Sequence, residues 1–179
     1  MTADLATLPA LKRLGDLAGL RPVIVTDTRE QLPLPFKRLA FVSGTLATGD
    51  YSFRGGEELF AVERKSIADL VGCCVGDNRE RFFRELHRLR GYRFKRLLVV
   101  GTRDEIEAGT YRSDLSPKAV LATLSAIEAR FDTPVGVFAA TPTDAGEQVE
   151  TWAWWMAREK MTTANDLLRG CRVGEPICS

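Results

Sequence analysis

An apolar run, Leu59-Phe60-Ala61-Val62, passes without a break into Glu63-Arg64-Lys65, and the turn Arg54-Gly55-Gly56-Glu57 joins it to a segment that begins Gly49-Asp50-Tyr51. This reads as a β-hairpin whose outgoing strand ends in three consecutive charges. Side chains alternate along a strand, so Glu63 and Lys65 share one face and Arg64 takes the other. If Phe53 pairs with Phe60 across the turn, Asp50 lies opposite Glu63, with Cβ atoms about 5 Å apart. Two carboxylates at that spacing repel, and each raises the other's pKa unless a cation sits between them. A hard divalent ion removes the penalty, and a lysine beside it can orient or deprotonate a bound water. Together these are the parts for metal-assisted phosphodiester hydrolysis. Each part alone also has a plain reading: Glu-Arg-Lys as a solvated strand end, Gly-Asp as a turn, and Ser66-x-x-Asp69 as a capping box for the helix that follows.

Elsewhere the chain alternates strands and helices. Residues 1–21 read as a short amphipathic helical arm carrying Leu8, Leu11 and Leu14. Val23 to Asp27 is the first expected strand, ending in Thr28-Arg29-Glu30. Gln31 to Arg38, with two prolines, reads as a loop before a short helix or an irregular turn, and Phe41 to Leu46 as extended. Ser66 caps a helix expected to reach Val75. Gly76-Asp77-Asn78 breaks it, and a second helix runs from about Asn78 to Leu89. In that helix Phe82, Leu86 and Leu89 lie together while Arg81, Arg84 and Arg88 face away. The arginine face is either a solvated surface balanced by pairs such as Arg81–Glu85, or a phosphate-tracking surface. Leu97 to Gly101 reads as a buried parallel strand, and Thr102 to Leu115 as irregular. Ser116-Pro117 opens a helix ending near Arg130. Val135 to Ala139 is a further strand, and a last helix spans Thr143 to about Lys160, with Trp152 and Trp154 on nearly opposite sides, which suggests an interface. A hairpin followed by alternating strands and helices argues an α/β fold, a mixed central sheet flanked by helices on both faces.

The 179 residues suit one domain with a substantial core. A net charge of +1 means that any nucleic-acid surface comes from local clustering, not from overall basicity. The cysteines Cys73, Cys74, Cys171 and Cys178 form no CxxC pair and His87 is the only histidine, which argues against a structural zinc site. Cys73-Cys74 reads as core, and a reducing cytoplasm fits. No membrane span or signal peptide is expected.

Gly49-Asp50 followed by Glu63-Arg64-Lys65, three residues and Asp69, with Asp27-Thr28-Arg29-Glu30 upstream and a glycine-aspartate break before the basic helix Gly76 to Arg90, resembles the XPF/MUS-type nuclease domain of the restriction-endonuclease-like superfamily. The likeness covers about Pro22 to Lys160, dividing the chain into an arm (1–21), a nuclease domain (22–161) and a tail (162–179). It implies a restriction-endonuclease-like α/β core and Mg²⁺- or Mn²⁺-dependent endonuclease activity on branched, flap or forked DNA. Carried over by position, Asp50 and Glu63 are metal ligands and Lys65 positions or activates the attacking water. Asp27 and Glu30 line the same site, Asp27 as a ligand or through metal-bound water. Arg29 and Arg64 hold phosphate or orient the acids, and Asp69 supports the site from its helix. Arg81, Arg84 and Arg88 are the remaining candidates for DNA contact. Family members usually carry a helix-hairpin-helix region after the nuclease domain, and none is expected in the residues that follow it here, so a separate DNA-binding subunit is one expected partner. Homodimerisation through the last helix (Trp152, Trp154, Trp155) is another. The expected location is the cytoplasm, nucleoid-associated or in a host cell. The alternative function is a non-catalytic DNA-binding or scaffold subunit of a nuclease complex.

Overall fold

The computed structural model describes residues 21–170. The expected N-terminal arm, apart from Arg21, and the last nine residues with Cys171 and Cys178 lie outside them. Six strands form one mixed sheet: β1 (Ile24–Asp27), β2 (Phe41–Gly44), β3 (Tyr51–Phe53), β4 (Phe60–Ser66), β5 (Phe94–Val100) and β6 (Val135–Ala139). Their spatial order is β2-β1-β3-β4-β5-β6. β3 pairs antiparallel with both β1 and β4, whereas β1–β2, β4–β5 and β5–β6 are parallel. The helices are α1 (Ile67–Gly72), α2 (Gly76–Leu89), α3 (Arg103–Glu107), α4 (Pro117–Phe131) and α5 (Pro142–Gly170).

The alternation of β4 and β5 sorts the core into two layers. Ala61, Leu97 and Val99 face Leu70 of α1, Phe82 and Leu86 of α2, and Ile127 of α4. Phe60, Val62 and Leu98 face the other way, onto Ala145, Val149 and Ala153 of α5. Helices therefore cover both faces, as the pattern of elements predicts. An aromatic row crosses the second layer: Phe53 to Phe60 at 5.4 Å between ring centroids, Phe60 stacked on Phe94 at 4.6 Å, and Phe94 against Trp152 at 5.6 Å. The hairpin pairs Tyr51 with Val62, in line with the expected register.

Several boundaries differ from expectation for local reasons. α1 stops at Gly72, leaving half-buried Cys73 and buried Cys74 as free thiols in the turn beyond it. α2 starts at Gly76 rather than after it, and that glycine turns the chain into the helix with a positive φ of 59°, a conformation that favours glycine. Thr102 to Leu115 is not wholly irregular: Thr102 and Glu105 form a reciprocal capping box that opens α3. β5 begins at Phe94, where half-buried Arg96 lays its guanidinium over the Phe94 ring with Trp152 beside it. α5 runs to Gly170, ten residues past its expected end. No helix among the described residues is long and apolar enough to cross a membrane.

The proline-containing stretch between β1 and β2 forms no helix and is tied to α5 chiefly through one carboxylate, with Arg38 also donating to the Glu147 carbonyl and the Thr151 hydroxyl. Glu150 Oε1 accepts the amides of Lys37 (2.9 Å), Arg38 (2.7 Å) and Leu39 (2.9 Å), and Oε2 accepts Arg38 Nε at 3.0 Å. Gly146 permits the approach, since a Cβ there would lie 2.1 Å from the Pro35 carbonyl oxygen. Burial raises the Glu150 carboxyl, but the Arg38 and Leu39 amides, the guanidinium and the Lys37 amide outweigh it and hold its pKa below the ordinary value. Glu150→Ala strands three amides and is expected to cost about 3 kcal/mol at neutral pH. A depressed folded-state pKa gives stability that is present above the ordinary carboxyl value of 4.5 and lost as pH falls through the folded value. Unfolding of both proteins should therefore show a gap at pH 7 that narrows at pH 3; an equal gap at both would contradict this role.

Candidate active site

Gly49 begins the site. Its φ of 80° and its position, where a Cβ would lie 3.0 Å from the Val62 carbonyl oxygen, exclude larger residues without strain. This close turn seats Asp50 against β4: its amide donates to Val62 O at 2.8 Å, and its Oδ2 accepts the Arg64 amide at 2.7 Å. On β4, Glu63 and Lys65 fall on the α1/α2 side and Arg64 on the other, as the alternation requires. Lys65 Nζ lies 2.5 Å from Glu63 Oε1.

Asp50 is driven up to about 7, first by burial and then by the negative charge of Glu63, against the opposing Arg64 amide and Lys65 charge. Burial also pushes the Glu63 carboxyl up, with Lys65 as its main counterweight. Burial disfavours the Lys65 ammonium, but the charge and hydrogen bond of Glu63 hold its pKa above the usual lysine value. The site is thus a protonated lysine beside two crowded carboxylates.

The groove over these groups is built from both sides of the sheet edge. Arg29, Asp50, Lys65, Arg81 and Glu85 line its whole length; Glu30, Arg64 and Asp69 flank one end, and Glu63, Thr48 and Arg88 the other. Arg88 is steadied by donation from its Nε to Thr48 Oγ1 at 3.1 Å. Arg84 is exposed on α2 and lines neither end.

Asp27 sits at the end of β1 with its side chain buried and lines no part of the groove. It accepts the Arg29 amide at 2.9 Å, Arg29 Nε at 2.6 Å, Arg29 Nη2 at 3.1 Å and the Leu46 amide at 2.7 Å. Burial raises its carboxyl, but the Arg29 side chain and the Leu46 and Arg29 amides pull the pKa below the ordinary value. Its visible work is to aim Arg29 and to fix the loop that leads to Asp50. Glu30 accepts the Leu32 amide at 2.9 Å and approaches Arg64 Nε at 3.9 Å. Arg64 Nη2 donates to Leu32 O at 3.0 Å, while its buried Nε has no hydrogen-bond partner. Asp69 caps α1 reciprocally with Ser66: its amide donates to Ser66 Oγ at 3.1 Å, and that hydroxyl donates to Asp69 Oδ2 at 2.6 Å.

Glu85 is the site residue missed by the sequence reading, which treated it only as a helical partner of Arg81. It stands 3.9 Å from Lys65 Nζ and 3.6 Å from Arg81 Nε. Its sequence signal is position: three residues after buried Phe82 and one before buried Leu86, it flanks the inward stripe instead of opposing it. Of the three tryptophans, Trp152 packs inward on Phe94, whereas Trp155 is 56% exposed and Trp154 contacts it at 4.9 Å.

Among the described residues no three His, Cys, Asp or Glu side chains form a ready-made metal cage. The donor chemistry still fits Mg²⁺ or Mn²⁺. Asp50 and Glu63 offer hard carboxylate oxygens with one oxygen each outside the hydrogen bonds given above, and Mg²⁺ takes one or two carboxylates while keeping several waters. A cation there would also relieve the pressure that drives Asp50 upward.

The fold is shared with XPF from Aeropyrum pernix, at a TM-score of 0.63 and 21% identity over 88% of this chain and 69% of that one. XPF from Aeropyrum pernix in complex with DNA gives 0.60 and 21% over 78% of this chain and 66% of that one. No curated protein matches the sequence significantly. The family model of the ERCC4 domain matches residues 25–149, a span that holds every carboxylate and arginine of the groove. With that match across more than half its length, and with the corresponding fold around the Asp50–Glu63–Lys65 cluster, the chain belongs to the ERCC4 domain family.

Proposed function

We propose that this chain is a divalent-metal-dependent endonuclease that hydrolyses phosphodiester bonds of branched, flap or forked DNA. The observation that carries the reading is half-buried Asp50 and buried Glu63 beside a protonated Lys65, at the floor of a groove rimmed by Arg29, Arg81 and Arg88. Family membership supports it. Burying two like charges costs stability, and a groove that couples that cost to cationic walls is suited to an anionic substrate and a cation.

Asp50 and Glu63 would hold Mg²⁺ or Mn²⁺, which supplies Lewis acidity and a more acidic bound water. The Arg64 amide fixes the orientation of Asp50 by its hydrogen bond to Oδ2. Lys65, held as the ammonium, donates: it steadies Glu63 and can direct a hydrogen bond toward the attacked phosphate or the attacking water. Arg29, aimed by Asp27, offers an exposed guanidinium to a phosphate across the groove from Arg81 and Arg88. The outward Trp154–Trp155 face of α5 is the proposed contact for a second copy of the chain or for a separate DNA-binding subunit.

Labelled forked, 3′-flap and linear duplex DNA, incubated with Mg²⁺, Mn²⁺ or EDTA, tests the reading. Cleavage near the junction is expected with metal and not with EDTA. Asp50→Asn and Glu63→Gln should each lower kcat at least about a hundredfold while the protein still folds. Metal-dependent cleavage that survives both substitutions would refute the assignment. For DNA binding, Arg81→Ala with Arg88→Ala should weaken affinity alike on all sequences and reduce the salt slope by about 2, whereas Arg84→Ala should change neither. An unchanged slope in the double variant would leave this face of α2 as a solvated surface.

A further inference from the structure

Resting on the nuclease reading, we propose that Glu85 is a positioning residue: it holds the Lys65 ammonium in the groove when the Glu63 carboxylate turns to a cation. Lys65 Nζ lies 2.5 Å from Glu63 Oε1, 3.9 Å from Glu85 Oε2 and 5.4 Å from the centre of the Phe82 ring. The Lys65 and Glu85 side chains are only 18% and 21% exposed, so water screens their attraction weakly. Any interaction that draws charge from Glu63 leaves the ammonium short of an anion in a half-buried place. A lysine so placed swings its flexible stem toward solvent unless a second carboxylate holds it.

Glu85 is built for that task because it comes from another element. α2 is anchored on the sheet by Phe82 and Leu86 on either side of Glu85, so the carboxylate does not move with β4. Its other oxygen, Oε1, lies 3.6 Å from Arg81 Nε, and that arginine is 78% exposed and free to turn toward a phosphate. When Arg81 turns, the full charge of Glu85 is left to Lys65. Substrate binding at the groove wall thereby tightens the hold on the lysine at its floor.

The test is a double-mutant cycle with Glu85→Gln and Lys65→Met, read two ways. In cleavage of forked DNA, Glu85→Gln should lower kcat at least tenfold with KM changed less than about twofold, and should add almost nothing in the Lys65→Met background. An equal loss in both backgrounds, or a change in KM alone, overturns the proposal. The second readout is melting temperature in EDTA, which needs no activity. Without Lys65, Glu85 keeps Arg81 but loses its partner at the groove floor, where its charge then only repels Glu63, so Glu85→Gln should raise the melting temperature more in Lys65→Met than in the wild type. Identical shifts in the two backgrounds would show that Glu85 does not hold Lys65. If the wild type cuts no DNA, the nuclease reading fails by itself, and the melting cycle still decides the Lys65–Glu85 claim.

Discussion

Antiparallel pairing of β3 with β4 sets Asp50 against the end of a strand whose neighbours on the other side are parallel. That geometry decides which side chains meet. Phe60 and Val62 bind the sheet to α5, while Ala61 carries the opposite layer against α1 and α2. Continuing the same alternation past Val62 sends Glu63 and Lys65 toward α2 and Arg64 toward the loop after β1. The core and the site are therefore one pattern: the residues that make β4 a central strand also distribute its three terminal charges. A one-residue slip would bury Arg64 against α2 and destroy both.

The strain of the arrangement falls on Asp50. Glu63 has Lys65 at hydrogen-bond distance, and Asp27 has Arg29; Asp50 has a backbone amide and a carboxylate neighbour. Gly49 and the Arg64 amide keep it in place regardless. A folded chain tolerates such a group because the aromatic row from Phe53 to Trp152 and the α5 contacts through Glu150 stabilise the sheet elsewhere. Functional sites commonly sit where local stability is sacrificed in this way.

The hairpin, the order of the strands and of the helices other than α3, the two-sided sheet and the facing of Glu63 with Lys65 were legible from apolar periodicity and turn residues. So were the Ser66 and Ser116 caps, which depend on neighbours a few residues away. What escaped the sequence reading depended on partners far along the chain or on weak local signals. Glu85 acquires its place only when α2 packs beside β4. The clamp that takes up both oxygens of Asp27 needs the Leu46 amide, nineteen residues on. The use of Glu150 as an acceptor for three amides needs a loop more than a hundred residues away. α3 was missed although its capping box was present, because its five residues carry too little apolar periodicity. The end of α5 was missed because its polar last turns show no buried stripe to mark them.

The most direct single measurement is the melting temperature of the wild type and Asp50→Asn at pH 8, in EDTA and in Mn²⁺. A carboxyl whose folded-state pKa is raised to about 7 lowers stability as pH climbs from the ordinary carboxyl range through 7, and the penalty is full at pH 8. The expected result is that Asp50→Asn melts above the wild type in EDTA, and that Mn²⁺ stabilises the wild type but not the variant. An Asp50→Asn protein that melts below the wild type in EDTA, or that gains as much from Mn²⁺, would contradict a strained carboxylate pair awaiting a cation.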